Sequence, residues 1–243
     1  MSGPGVRLYR DHGIVLRTYK LGEADRIVSL VTERHGKVRA VAKGVRKTKS
    51  RFGARLEPTR HVALQLYEGR ELDVITQAES VDHFRTIRTD LDRLTRAVSM
   101  LEAVDQLSQE GEPNVALYQM LLGALRSLDA HDSAVVVAAF YWKVLALEGF
   151  RPLVEECAVC GSATELVAFD AEEGGTLCLS HRRGVPIGPD ALALLQLVLG
   201  GRLGQALDEP ASAATYELDH LATQVMEHHL ERRLRSVGLL DRH

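Results

Sequence analysis

No apolar stretch in the 243 residues is long enough to cross a bilayer; the longest runs from Ala134 to Leu147 and is interrupted by Lys143. The opening residues, MSGPGVRLYRDHG, lack the apolar core and small-residue cleavage site of a secretory signal, so a cytoplasmic address is expected and no membrane contact. Cysteine is scarce. There are three, an odd number, and Cys157 and Cys160 are separated by only two residues, which argues against a disulfide framework and for a metal site. Catalytic signatures are missing as well. Gly36-Lys37 lacks the upstream glycine of a phosphate-binding loop, and neither H-E-x-x-H nor G-x-S-x-G occurs. His228 and His229 would point about 100° apart on a helix and share one ion poorly. The other histidines are scattered without a carboxylate or nucleophile at consistent spacing, so a non-enzymatic protein is expected.

What is present describes an ordinary folded protein, 45% hydrophobic and 26% charged, of a length that suits one to three compact units. The net charge of −3 conceals a division. Residues 1–80 carry 16 Lys/Arg against 9 Asp/Glu, and the remainder 14 against 24. Between Lys37 and Arg60 lie nine cations with Glu57 as the only acid, a local excess that concentrates anions at a surface.

The first 80 residues read as strands. Period-2 alternation marks His12–Lys20, Arg26–Thr32, Lys37–Ala42, His61–Tyr67 and Leu72–Gln77, with glycines at the intervening turns. Five short strands in this length suit a small closed barrel, and an OB-fold is expected. After His83 the period becomes helical: Leu91, Leu94, Val98, Leu101 and Val104 would share one face. A second helix is expected to open at Pro113, a third to follow Asp132-Ser133 and stop at Gly149, a fourth to run from Pro189 to Gly200, and a last from Tyr216 to Val237. The expected class is α+β: a barrel at 1–82, a helical bundle at 83–150, a metal-binding insert at 151–186, and C-terminal helices at 187–243 packing on the bundle.

The insert carries Cys157-Ala-Val-Cys160-Gly161 and, further on, Cys178-Leu-Ser-His181, a C-x2-C … C-x2-H pattern. Zinc takes four such ligands in a tetrahedron, and each half supplies two from one loop. Gly161 permits a tight turn behind the thiolates, and Gly174-Gly175 suit the hairpin between the halves. All four ligands come from protein, leaving no position for a reactive water. One structural zinc per chain is expected, supplying folding energy to a segment with few large apolar residues.

A barrel binds single strands by joining a positive groove to rings on which bases stack. The cations expected to contact DNA are Arg26, Arg34, Lys37, Arg39, Lys43, Arg46, Lys47, Lys49, Arg51 and Arg55; the expected rings are Tyr19, Phe52 and Tyr67.

The stretch GIVLRTYKLGEADRIVSLVTERHGKVRAVAKGVRKTKSRFGARLEP, with its Leu-Gly-Glu-Ala-Asp turn and Ala-Lys-Gly-Val-Arg segment, closely resembles the N-terminal OB domain of the RecO DNA repair family. Gly149-Phe150-Arg151-Pro152, the cysteine module and the closing Arg232-Arg233-Leu234-Arg235-Ser236 are similar to the rest of that family's pattern, although His181 stands where many members have a fourth cysteine. The resemblance implies a nucleoid-associated recombination mediator that binds single- and double-stranded DNA and anneals complementary strands. With RecR it would help load RecA onto strands covered by single-stranded-DNA-binding protein. Arg232, Arg233 and Arg235 beside Leu230 and Leu234 suit the acidic, apolar-ended tail of that protein. Two other classes fit parts of the chain: an RNA-binding module that joins an OB barrel to a zinc ribbon, and a zinc hydrolase with Cys157, Cys160 and Cys178 as ligands and water in the fourth place.

Overall fold

The computed structural model describes residues 8–47, 50, 52–231 and 234. Contacts divide the chain into two compact units, residues 1–129 and 130–243.

The first unit opens with five strands: β1 (Leu8–Leu21), β2 (Asp25–Thr32), β3 (Gly36–Ala42), β4 (His61–Tyr67) and β5 (Asp73–Asp82). They close in the order β1-β2-β3-β5-β4, with β4 returning to β1, which is the OB arrangement the alternation leads one to expect. All pairs are antiparallel except β3 with β5. Side chains alternate across the wall, as the strand period requires. Val28, Leu30, Val38, Ala40, Val62, Leu64, Leu66 and Ile75 fill the interior. In β1 the alternation fails once. A bulge between Val15 and Arg17 lets Ile14, Val15 and Leu16 all be buried, and it turns the strand from its pairing with β4 to its pairing with β2.

Three helices follow in this unit, α1 (Arg85–Thr89), α2 (Leu91–Leu107) and α3 (Val115–Ala130). The buried stripe of α2 is Ala97, Met100, Leu101 and Val104, rotated from the expected face; Leu91 is exposed. Pro113 does not open α3. Asn114 does, its side chain accepting from the Leu117 amide, because a side-chain acceptor satisfies an orphan N–H that proline leaves open.

The second unit contains α4 (Val136–Leu147), a three-stranded sheet of β6 (Leu166–Asp170), β7 (Gly175–Cys178) and β8 (Val185–Pro186) in the order β7-β6-β8, then α5 (Pro189–Leu199), α6 (Leu203–Leu207) and α7 (Ala213–His229). Trp142 of α4 meets Phe169 of β6 edge to face at 5.3 Å and ties the sheet to the helices. The last helix begins and ends earlier than expected. Ser212 and Thr215 form a capping box at its start, and Glu231 has a positive φ of 51° just after its end. Arg232, Arg233 and Arg235 lie outside the described residues. Among the described residues no helix is long and apolar enough to cross a membrane.

Candidate nucleic-acid interface and metal centre

The basic segment is distributed by the barrel into engaged and open cations. Arg26 on β2 pairs with Glu57 at 2.8 Å, which answers the one acid of the segment. Lys37 on β3 reaches Asp105 of α2 at 2.9 Å, and Arg17 of β1 takes the other carboxylate oxygen at 2.7 Å. Ser29 donates to the same carboxylate at 3.1 Å, so Asp105, only 8% exposed, gathers three barrel side chains under the helix. Arg39 is exposed and 3.6 Å from Glu110. Arg55, in a short 3-10 turn at Gly53–Leu56, is exposed and donates to the Phe52 carbonyl at 3.4 Å.

Lys43, Arg46 and Lys47 make no ion pair among the described residues, and the Arg46 guanidinium donates to the Gly22 carbonyl at 3.3 Å. They occupy the turn after β3, and all three are exposed. The turn is built by hydrogen bonds from the Gly44 amide to Asp25 Oδ1 at 2.7 Å and from the Arg46 amide to the Ala24 carbonyl at 3.0 Å. These bonds lash it to the β1–β2 turn; Tyr19, 46% exposed near the end of β1, has its hydroxyl accepting from Arg17 at 3.1 Å. Lys49 and Arg51 lie outside the described residues. Arg34, expected among the contacts of the basic segment, sits in the β2–β3 turn at the other end of the hairpin, set apart from Lys43, Arg46 and Lys47.

Of the three expected rings, Phe52 is a correction. It is 1% exposed and belongs to the barrel core, so no base can stack on it. Tyr67 faces outward from β4, since its neighbours Leu64 and Leu66 belong to the core. Arg10, Arg17 and Lys20 are further cations on β1, isolated in the chain and announced by no basic run.

In the second unit the four expected ligands converge. The Sγ atoms of Cys157, Cys160 and Cys178 and a ring nitrogen of His181 all lie within 4.8 Å of one another. The separations are 3.8 Å for Cys160–Cys178, 3.4 Å for Cys178–His181 Nδ1 and 3.9 Å for Cys157–His181 Nδ1. A tetrahedron with metal–sulfur bonds of about 2.3 Å has edges of roughly 3.8 Å, so the donor set fits one metal ion. The local chain explains the convergence. Gly161, at φ +71°, lets its amide donate back to the Cys157 carbonyl at 2.8 Å and closes the first loop. Gly175, opening β7, has the Leu153 carbonyl oxygen 2.4 Å from where a Cβ would stand, so only glycine admits the strand there. Cys178 ends β7 opposite Leu166 and turns directly into the short 3-10 segment that carries His181. Burial opposes ionisation of the Cys157 thiol, but backbone donors at Cys178, Cys160 and Val159 outweigh it and bring the thiol down to about 6. A thiol so placed is ready to ligate as thiolate. The core of this module is small, Cys157, Ala168, Leu177 and Cys178 with Ala158 and Leu166 against them, so a metal would replace missing hydrophobic burial.

Fold and site together define a class: an OB-barrel protein whose C-terminal half carries a Cys3His group that could hold a metal ion. Comparison makes it specific. Residues 6–84 match the family profile described as Recombination protein O N terminal, and residues 88–237 that described as Recombination protein O C terminal. A protein named DNA repair protein RecO from Nocardioides sp. is 45% identical, covering 97% of this chain and 100% of its own length. Namesakes from Bifidobacterium adolescentis and Thermobifida fusca are each 43% identical, covering 96% and 98% of this chain and 99% and 100% of their own lengths. The chain belongs to the RecO DNA repair protein family.

Proposed function

We propose that this chain is a non-catalytic DNA-binding recombination mediator acting in the cytoplasm at the nucleoid. It anneals complementary single strands and, with RecR, helps load RecA onto strands covered by single-stranded-DNA-binding protein. The observation that carries the reading is the turn at 43–47, where three exposed cations sit on a turn hydrogen-bonded to Ala24 and Asp25 at one end of an OB barrel. Cations there neutralise phosphates without reading bases, and this lowers the repulsion between two strands while leaving the base-pairing energy that unites them untouched. Arg26, Lys37 and Arg39, each near an acid, then act as a supporting field. Zinc held by Cys157, Cys160, Cys178 and His181 has a structural role: a closed four-ligand shell keeps the module folded and gives no open coordination site. The C-terminal Arg232, Arg233 and Arg235 serve as the site for the acidic tail of the single-stranded-DNA-binding protein. The four segments 1–82, 83–150, 151–186 and 187–243 are the working parts of this reading.

The test is strand annealing by the full-length, zinc-loaded protein, with and without single-stranded-DNA-binding protein and RecR, beside Lys43→Glu/Arg46→Glu/Lys47→Glu. Binding to DNA and RNA of one sequence is compared at matched salt. Annealing that survives the triple substitution unchanged, or a preference for RNA, refutes the reading.

A further inference from the structure

The outer face of β1, β4 and β5 holds a row of polar side chains set by strand register. Arg10 on β1 lies opposite Gln65 on β4, and Gln65 opposite Gln77 on β5. All three point outward, because Leu64, Leu66 and Ala78 beside them belong to the barrel core. One row along, Leu8 pairs with Tyr67 and Tyr67 with Val74; on the other side, His12 pairs with Ala63 and Ala63 with Glu79. An open depression of about 390 Å³ is lined by Arg10, Arg34, Gln65, Gln77 and their neighbours.

Arg34 reaches this face through Asp11. The buried Asp11 carboxylate accepts from the His12 amide at 2.8 Å and the Arg34 amide at 3.1 Å, and meets His35 Nδ1 at 2.5 Å. That clamp fastens the β2–β3 turn to β1 and leaves the Arg34 guanidinium exposed beside Arg10. Unlike Arg26, Lys37 and Arg39, neither Arg10 nor Arg34 has a side-chain ion pair among the described residues. Of the acids here, Asp11 is taken up by its three partners, Glu33 faces His12 at 3.9 Å and Gln119 at 3.3 Å, and the exposed Glu79 lines the depression beyond Gln77, opposite Ala63.

We propose that this face is a second single-strand binding site, so that one barrel holds two nucleic-acid strands at once. The inference rests on the DNA-binding reading of the barrel. β2 is eight residues long, which puts the β2–β3 turn about 25 Å from the turn at 43–47. Two strands can therefore bind without their phosphates meeting. The chemistry suits unpaired nucleotides: Arg10 and Arg34 for phosphates, the paired Gln65 and Gln77 amides as donors and acceptors for exposed base edges, and the Tyr67 ring one row away for stacking. A duplex occupies the Watson–Crick edges in pairing and hides the base faces in its stack. Holding two strands on one body turns their encounter into an intramolecular event at high effective concentration.

The experiment uses the full chain and two oligothymidylates that cannot pair, one carrying a donor fluorophore and the other an acceptor, with protein limiting. The parent is expected to show energy transfer between them. Arg10→Glu/Arg34→Glu should keep first-strand affinity within about twofold and lose transfer about tenfold, since two phosphate contacts are reversed. Arg10→Ala/Arg34→Ala gives an intermediate loss and guards against a folding defect, which circular dichroism also checks. Lys43→Glu/Arg46→Glu/Lys47→Glu should instead lose first-strand affinity. Transfer by the Arg10/Arg34 reversal equal to the parent's overturns the second site while leaving the turn at 43–47 in place. First-strand binding unaffected by the Lys43/Arg46/Lys47 reversal overturns the functional reading itself. A parent that shows no transfer, but whose Arg10/Arg34 face binds an oligoglutamate peptide, overturns the proposal in favour of a protein partner.

Discussion

Lys37 Nζ lies 2.9 Å from Asp105 Oδ1, joining the barrel to α2 across 68 residues of sequence. The ammonium also donates to the Asp105 backbone carbonyl at 2.5 Å, and only 17% of the lysine side chain is exposed. This cation therefore holds the helix more than it meets solvent. Lys37→Ala should lower the unfolding free energy by roughly 1–2 kcal/mol, less than for a fully orphaned buried carboxylate because Arg17 stays with Asp105. DNA affinity should change by less than about twofold, as one peripheral charge in a field implies. Urea unfolding and fluorescence anisotropy separate the two. A large affinity loss with unchanged stability would place Lys37 at the DNA instead.

That pair also marks the limit of what the sequence discloses. The barrel was legible because β-strand alternation is local, and all five expected strands occur within a few residues of their places. The Cys3His pattern was legible because its spacing is the chemistry. The Asp105 contact was not, since nothing near Lys37 in the chain announces a partner in a helix that forms later. Phe52 misled for a related reason: it sits among cations, but the turn around it folds its ring into the core. The Leu16 bulge and the Asn114 cap likewise depend on pairing and terminal geometry that composition alone leaves open. The division of exposed and engaged arginines follows only from the closed barrel, which brings Arg34 to Arg10.

His61 should make stability pH-dependent. It is 4% exposed, with Nδ1 2.7 Å from Asp82 and Nε2 2.8 Å from the Tyr118 hydroxyl, where β4 meets α3. Burial pushes its imidazole below the usual value against the opposing pull of Asp82; Arg126 and His12 push it down further. The folded state thus favours neutral histidine, while the unfolded chain takes up a proton near pH 6.5. The stabilisation is complete above that pH and is lost as pH falls from it toward the lower folded value. Chemical denaturation from pH 7.5 to 5 should show stability declining below about 6.5. His61→Asn should flatten this decline; an unchanged slope would assign it to other groups.

Metal analysis of protein purified without chelator should find one zinc per chain. Cobalt substitution should give the visible bands of a tetrahedral site together with thiolate-to-metal charge transfer. Cys157→Ser should lose most of the metal, and chelation should lower the melting temperature of the 130–243 unit, because a structural ion contributes its binding energy to folding. Stoichiometric zinc retained by Cys157→Ser would exclude this ligand set.

The salt dependence of DNA binding measures how many cations of the barrel touch phosphates. Lys43, Arg46 and Lys47 are exposed in one turn, with Lys49 and Arg51 close by in sequence, so about five contacts and a slope near −4.5 in log affinity against log salt are expected for duplex. The slope should be shallower for single strands, roughly −3.5 for the same contacts, since their lower charge density releases fewer counterions. Any single alanine change should cost under about 1 kcal/mol, because neighbouring cations compensate in a screened field. Reversal of all three residues removes three contacts, and the duplex slope should fall in magnitude by about 2.7 while zinc content and far-ultraviolet circular dichroism stay unchanged. Base sequence should matter little throughout, as phosphate neutralisation carries no base information. A triple variant with the parental slope would mean that the turn at 43–47 never meets the backbone of DNA. A variant with lower affinity but the same slope would point to a lost non-ionic contact rather than to lost charge.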